Sequence, residues 1–167
     1  MLPPNNKVDR MDERLLHVNR YGVLQPTGLF WLGCLILIRF QLFSFFALIA
    51  ARKSAGVMQV FEGGVPWLAM AVEFPVLLLL LAAGRRHPDA SGVFRLLWRY
   101  AKWLVLMTVV GHLVWAGLFF AEFDGFVGKL DLIVFCFTLL DVSLLWSFWF
   151  SDYYRKLFSE FPQQKSS

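Results

Sequence analysis

Charge is scarce in this chain: Asp, Glu, Lys and Arg make up 17% of its 167 residues, against about 25% in an average soluble domain. Cysteine is rarer still. Cys34 and Cys136 are the only two, too few for a secreted domain held together by disulfides. The chain has three histidines, and only His112 falls inside an apolar run, so a pair of facing haem ligands is missing. No CxxC, HExxH, P-loop or GxSxG pattern occurs, and Gly63-Gly64 is too short to cradle a phosphate. The period-two alternation of a strand is absent, as are internal repeats, low-complexity tracts and long polar linkers. These absences exclude a soluble enzyme of ordinary composition, a disulfide scaffold and a disordered tail.

What remains is apolar. Hydrophobic residues make up 58% of the chain, aromatics 17%, and the mean hydropathy is +0.58. The apolar residues gather into four runs, Gly28 to Ala50, Val65 to Ala83, Trp103 to Ala121 and Leu130 to Phe150. Each is long enough to cross a hydrocarbon layer of about 30 Å as a helix. A backbone in lipid must satisfy its own hydrogen bonds, so helices are the expected form. The sequence therefore predicts an all-α integral membrane protein, a four-transmembrane-helix bundle over residues 28–150, with tails at 1–27 and 151–167. Pro26 precedes the first run and Pro66 opens the second, both suited to helix starts. The first run is too long for a signal peptide and no small-residue cleavage pattern follows it, which predicts a retained anchor. Cys34 and Cys136 fall in opposite halves of the bilayer, about 12 Å apart in height and beyond disulfide reach.

Lys and Arg set the expected orientation. The N-terminal tail carries Lys7, Arg10, Arg14 and Arg20, and the loop between the second and third runs carries Arg85, Arg86, Arg95, Arg99 and Lys102. Arg155, Lys156 and Lys165 follow the last run, whereas the other side has only Arg52, Lys53 and Lys129. Twelve against three predicts both termini in the cytoplasm. This bias accounts for the net charge of +4 without a nucleic-acid partner. Trp31, Trp67, Trp103, Trp146 and Trp149 lie near the run ends, as interfacial anchors do.

One ionisable residue stands near the middle of every run: Arg39, Glu73, His112 and Asp141. At 1.5 Å per residue they lie roughly 14–16 Å deep, in a single layer. A central charge costs about 2.5–3.5 kcal/mol on insertion scales, so these side chains are expected to face inward and pair. Arg39 with Glu73, Asp141 or both is the obvious pairing, since a guanidinium can satisfy two carboxylates. The preferred reading is a buried polar network that sets helix register. The alternative is a proton relay or a polar solute site. A metal site is disfavoured because Arg39 would repel the cation at the same depth, so no metal and no other cofactor is expected.

The loop after the second run has a pattern of its own. Asp89 or Ser91 can cap a short helix in which Arg95, Arg99 and Lys102 recur at i, i+4 and i+7. Phe94, Leu97, Trp98 and Ala101 take a different face. This predicts a short basic interfacial helix before the third span. Arg85, Arg86, Arg95, Arg99 and Lys102 are its candidate contacts to anionic lipid headgroups.

Two short segments point to a family. Arg20-Tyr21-Gly22-Val23-Leu24-Gln25-Pro26 precedes the first run, Arg39 stands within it, and Leu157-Phe158-Ser159-Glu160-Phe161-Pro162 closes the chain. In these motifs, with Tyr21, Gly22, Pro26, Phe158, Phe161 and Pro162 as marker residues, the chain resembles the YfeZ-like family of small, uncharacterised inner-membrane proteins of Gram-negative bacteria. The resemblance covers about residues 19 to 162 and implies location and fold; it supplies no activity and no catalytic residue. The functional expectation is a non-catalytic accessory or assembly subunit. Its partners would be membrane lipids and another integral membrane protein, or itself as a homo-oligomer. An oligomeric transporter or proton-conducting protein using Arg39, Glu73, His112 and Asp141 is the alternative, and an enzyme is less favoured than either.

Overall fold

The computed structural model describes residues 18, 19, 21–51, 64–122 and 129–162, and within these the regular elements are all helical. The expected loops at 52–63 and 123–128, the basic residues of the N-terminal tail and Lys165 lie outside the described residues.

Helix α1 (Gly28–Leu37) starts where Thr27 accepts a hydrogen bond from the Phe30 N–H at 3.4 Å, the usual role of an N-cap hydroxyl. It stops at Ile38, whose backbone (φ −106°, ψ 25°) leaves the helical region. Helix α2 (Arg39–Ala51) then departs at 69°, so the first expected span is a broken one and not a straight helix. The second expected span is jointed too: α3 (Gly64–Val72) meets α4 (Phe74–Gly84) at Glu73. Pro75 causes that joint, because it has no N–H to donate backward. The Val76 N–H turns to the Glu73 carbonyl at 3.1 Å. Side chains also reach two carbonyls at the joint: Thr108 Oγ1 donates to Val72 O at 3.2 Å, and Gln41 Nε2 to Met70 O at 2.8 Å, which accepts the Glu73 N–H as well.

Helix α5 (Gly92–Arg99) is the expected short helix before the third span, with Ser91 as its N-cap residue and no side-chain capping bond. Tyr100 separates it from α6 (Ala101–Glu122), and α7 (Lys129–Phe150) follows. Among the described residues three helical stretches are long and apolar enough to cross a membrane: Trp67–Gly84, Ala101–Ala121 and Leu132–Phe150. The bent pair α1–α2 makes a fourth if it counts as one span. Where a plain tail was expected, a further helix, α8 (Asp152–Ser159), packs back on the bundle. Its Tyr154, Leu157 and Phe158 are buried, the i, i+3, i+4 stripe that marks an amphipathic helix.

The packing forms a ring. α1 lies against α4 and α7, and α6 lies against the same two from the opposite side, with α3 also on α6. The contact between α3 and α6 depends on Gly111, where a Cβ would collide with the Val72 side chain. Two apolar clusters fill the interior. The larger includes Phe30, Leu37, Val76, Leu79, Trp98, Val105, Phe148 and Phe158; the smaller is Ala69, Trp115, Ala116 and Val134, with Phe40 against it. The four buried ionisable side chains fall between these two clusters along the spans.

Candidate functional site

The structure brings Arg39, Glu73, His112 and Asp141 together between the two apolar clusters. Glu73 and Asp141 are wholly buried, His112 is 2% exposed and Arg39 7%. Arg39 and Asp141 form a two-pronged pair, Nη1 to Oδ1 at 2.7 Å and Nη2 to Oδ2 at 2.9 Å. This is the fork geometry that makes guanidinium–carboxylate bonds strong. The ring faces of Phe40 and Phe137 lie 5.2 and 4.9 Å from the guanidinium carbon, close enough for cation–π attraction. His112 Nδ1 sits 3.0 Å from the second oxygen of Asp141.

Glu73 does something the sequence did not announce. Its carboxylate accepts the backbone N–H groups of Phe40 and Gln41, each at 2.8 Å. The carboxylate therefore caps the start of α2, where the break at Ile38 leaves backbone donors without helical partners. The expected pairing of Arg39 is thus settled in favour of Asp141. The bend at Ile38 and the joint at Glu73 form a single feature, in which one broken helix supplies the anion that the other requires.

A chain of proton-bearing atoms runs from Asp141 through His112 to Glu73. Its second link is the longer: His112 Nε2 lies 3.5 Å from Glu73 Oε1, and the nitrogen makes no hydrogen bond among the described residues. With a neutral imidazole the four side chains sum to one negative charge; a single proton on His112 or Glu73 brings the sum to zero. Among the described residues no group of three or more His, Cys, Asp or Glu is arranged to hold a metal ion.

The candidate headgroup residues separate into two kinds. Arg85, Arg95 and Arg99 are exposed, and Lys102 is half-buried in the first turn of α6. Arg86 turns inward, contrary to expectation. It donates to the carbonyls of Leu24 and of Glu160, the latter at 2.6 Å, and its guanidinium carbon lies 4.6 Å from the Trp98 ring. Burial lowers its pKa to about 10, so it stays cationic at neutral pH. The Glu160 carboxylate in turn accepts the Leu24 N–H at 3.0 Å. Trp98 Nε1 donates to Leu157 O at 3.0 Å, and the Tyr153 hydroxyl donates to the Gln25 carbonyl.

These bonds join the two segments that carried the family resemblance. Tyr21 and Gly22 form a turn in which Asn19 Oδ1 accepts the N–H groups of Tyr21 and Val23, and Gly22 takes φ +77°, a conformation that suits glycine. Phe158 and Pro162 are buried and Phe161 is half-buried on the same end of the bundle. Pro26 follows directly on Gln25, to which Tyr153 is tied. Leu24 and Glu160 stand 136 residues apart in sequence and side by side in the fold. The model of a family described as "Protein of unknown function (DUF2919)" matches residues 14–160. The chain belongs to that family. No curated protein and no solved structure matches it.

Proposed function

We propose that this member of the DUF2919 family is a non-catalytic accessory or assembly subunit of the bacterial inner membrane. Its partner would be another integral membrane protein. The observation that supports this reading is that the guanidinium and both carboxylates of the charged layer are bonded within the fold. Arg39 is engaged with Asp141, Glu73 is engaged with two backbone N–H groups, and all four side chains are buried. Such a layer sets the register of helices against one another and commits the guanidinium and both carboxylates to partners inside the bundle. The outward faces supply the surface for a partner: Phe43, Phe45, Phe46, Trp67, Phe74 and Trp146 are all more than half exposed.

The proposal includes both termini on the cytoplasmic side, supported by the Lys and Arg bias and by the joining of Leu24 to Glu160 at one end of the bundle. It also includes kinship with the YfeZ-like proteins of Gram-negative inner membranes, supported by the paired terminal motifs. Purification from native membranes with mass spectrometry tests the subunit role, and a stoichiometric second membrane protein is the expected result. Homo-oligomers with no second protein would turn the reading toward transport. For orientation, Ser54→Cys should react with an impermeant thiol reagent in intact cells and Ser166→Cys should not.

One observation favours the transport reading. Two interrupted helices meet at mid-depth, a feature of transporter binding sites, and His112 Nε2 faces Glu73 without a hydrogen bond. In proteoliposomes that reading requires a proton or solute flux that His112→Gln abolishes while the protein stays folded.

A further inference from the structure

We infer that the end of the bundle carrying both described chain ends holds a discrete binding site for the phosphate headgroup of an anionic phospholipid. The inference rests on the membrane placement proposed above and is independent of the subunit role. A cavity of about 500 Å³ opens between α5, the first turn of α6 and α8. Four cationic side chains line it: Arg95, Arg99, Lys102 and Arg155. Among the described residues only one of these charges has a carboxylate beside it, Arg155 with Asp152 at 2.9 Å. The other contacts leave the charges in place. Arg95 donates to the Pro88 carbonyl at 2.6 Å and Lys102 to the Trp149 carbonyl at 3.2 Å, while Arg99 has no ion pair among the described residues. Among the described residues three formal positive charges therefore remain uncompensated around one concavity, which is the electrostatic signature of an anion site.

The location selects a lipid over a free anion. Trp103, which lines the cavity, is the third residue of the apolar stretch Ala101–Ala121 and is 56% exposed. Below it on α6, Met107, Val110 and Val114 repeat at helical spacing and are exposed in turn. An occupant with a phosphate at one end and an acyl chain at the other can place its charge among the arginines and its chain along this stripe. Basic pockets at helix ends hold anionic headgroups by this division. Trp98 and Phe158 form the floor and belong to the main apolar core, so the concavity is built on fixed side chains. Arg155 comes from α8, which explains why a reading of the loop alone could not find the site.

The test uses the purified full-length protein in detergent with phosphatidylcholine, phosphatidylglycerol or cardiolipin, and native mass spectrometry to count and titrate retained lipid. The expected result is one anionic lipid bound about tenfold or more tighter than phosphatidylcholine. The variant Arg99→Gln/Arg155→Gln should weaken it by about tenfold or more, and Lys156→Gln, exposed on α8 but outside the cavity, should leave it unchanged. Arg99→Gln alone gives the same reading at smaller amplitude, and a thermal melt checks that each variant is folded. Equal retention of all three lipids, or equal losses in Lys156→Gln and the double variant, would overturn the site as general surface charge. Displacement of the lipid by millimolar inorganic phosphate would overturn the lipid and leave a soluble anion. None of these outcomes depends on whether a partner protein is found, so failure of the subunit role and failure of this site are read separately.

Discussion

Two inward-turned arginines hold this molecule together, and they are satisfied in opposite ways. Arg39 at mid-depth takes a carboxylate, in a two-pronged bond to Asp141. Arg86, at the end of the bundle, takes backbone carbonyls from Leu24 and Glu160 and the face of Trp98. The difference follows from depth. In the hydrocarbon centre a lone cation is costly and water is absent, so a neutralising anion must be built into the fold. At the end of the bundle the bonds to the cation come from the free carbonyls of chain ends and helix ends, and the nearby Glu160 carboxylate favours its charge without bonding to it. Arg39 therefore fixes how helices rotate against one another, and Arg86 fixes where the two ends of the chain are stitched.

Removing a partner from each site should reveal that difference, and the mid-depth pair should give the larger effect. Arg39→Leu leaves Asp141 buried with only His112 beside it, and breaking such a pair typically costs about 3–5 kcal/mol. Arg39→Leu/Asp141→Asn should recover much of the loss, whereas Arg39→Leu/Glu73→Gln should not, because Glu73 serves the α2 backbone. Thermal unfolding in detergent of the singles and doubles, treated as double-mutant cycles, reads this directly. Additive losses in the Asp141 cycle would remove the pair as drawn.

At the end of the bundle the expected effect is smaller. Arg86→Gln should cost about 1–3 kcal/mol, the range for losing charge-assisted bonds to groups that water can partly reach. It should also loosen the terminal motifs selectively, with faster amide exchange at Leu24 and Glu160 and unchanged exchange around His112. A uniform increase across the bundle would contradict the local role of Arg86.

The smallest expected effect lies at the joint itself. Thr108→Val deletes the hydroxyl that serves the Val72 carbonyl, and interhelical bonds of this kind in membrane bundles average about 0.6 kcal/mol. A loss as large as that of Arg39→Leu would mean that the Pro75 joint, and not the ion pair, holds the charged layer.

Much of this is legible in the chain alone. The four apolar runs, the short basic helix before the third span and the common depth of Arg39, Glu73, His112 and Asp141 all follow from counting along it. The helix α8 leaves a trace in the spacing of Tyr154, Leu157 and Phe158, although the polar residues around them hide it in a hydropathy reading. Less accessible is the break at Ile38. Its apolar neighbours do not mark it: Leu37, Ile38 and Phe40 are ordinary helix residues in lipid. The group that stabilises the break is a carboxylate 33 residues beyond Phe40. Pro75 does announce its own joint, but not that Glu73 beside it turns to another helix.

The sequence by itself determined that the chain forms apolar helices and where its charges fall along each of them, because apolar content and helical rise are local quantities that add along the chain. Only the tertiary structure decided which charge meets which, that Arg86 points inward while Arg99 and Arg155 share a cavity, and that two broken helices complete one another. Those outcomes depend on the rotation of one helix against another. That rotation is set by close packing at places such as Gly111 against Val72, between residues far apart in the chain, and no local count reports it.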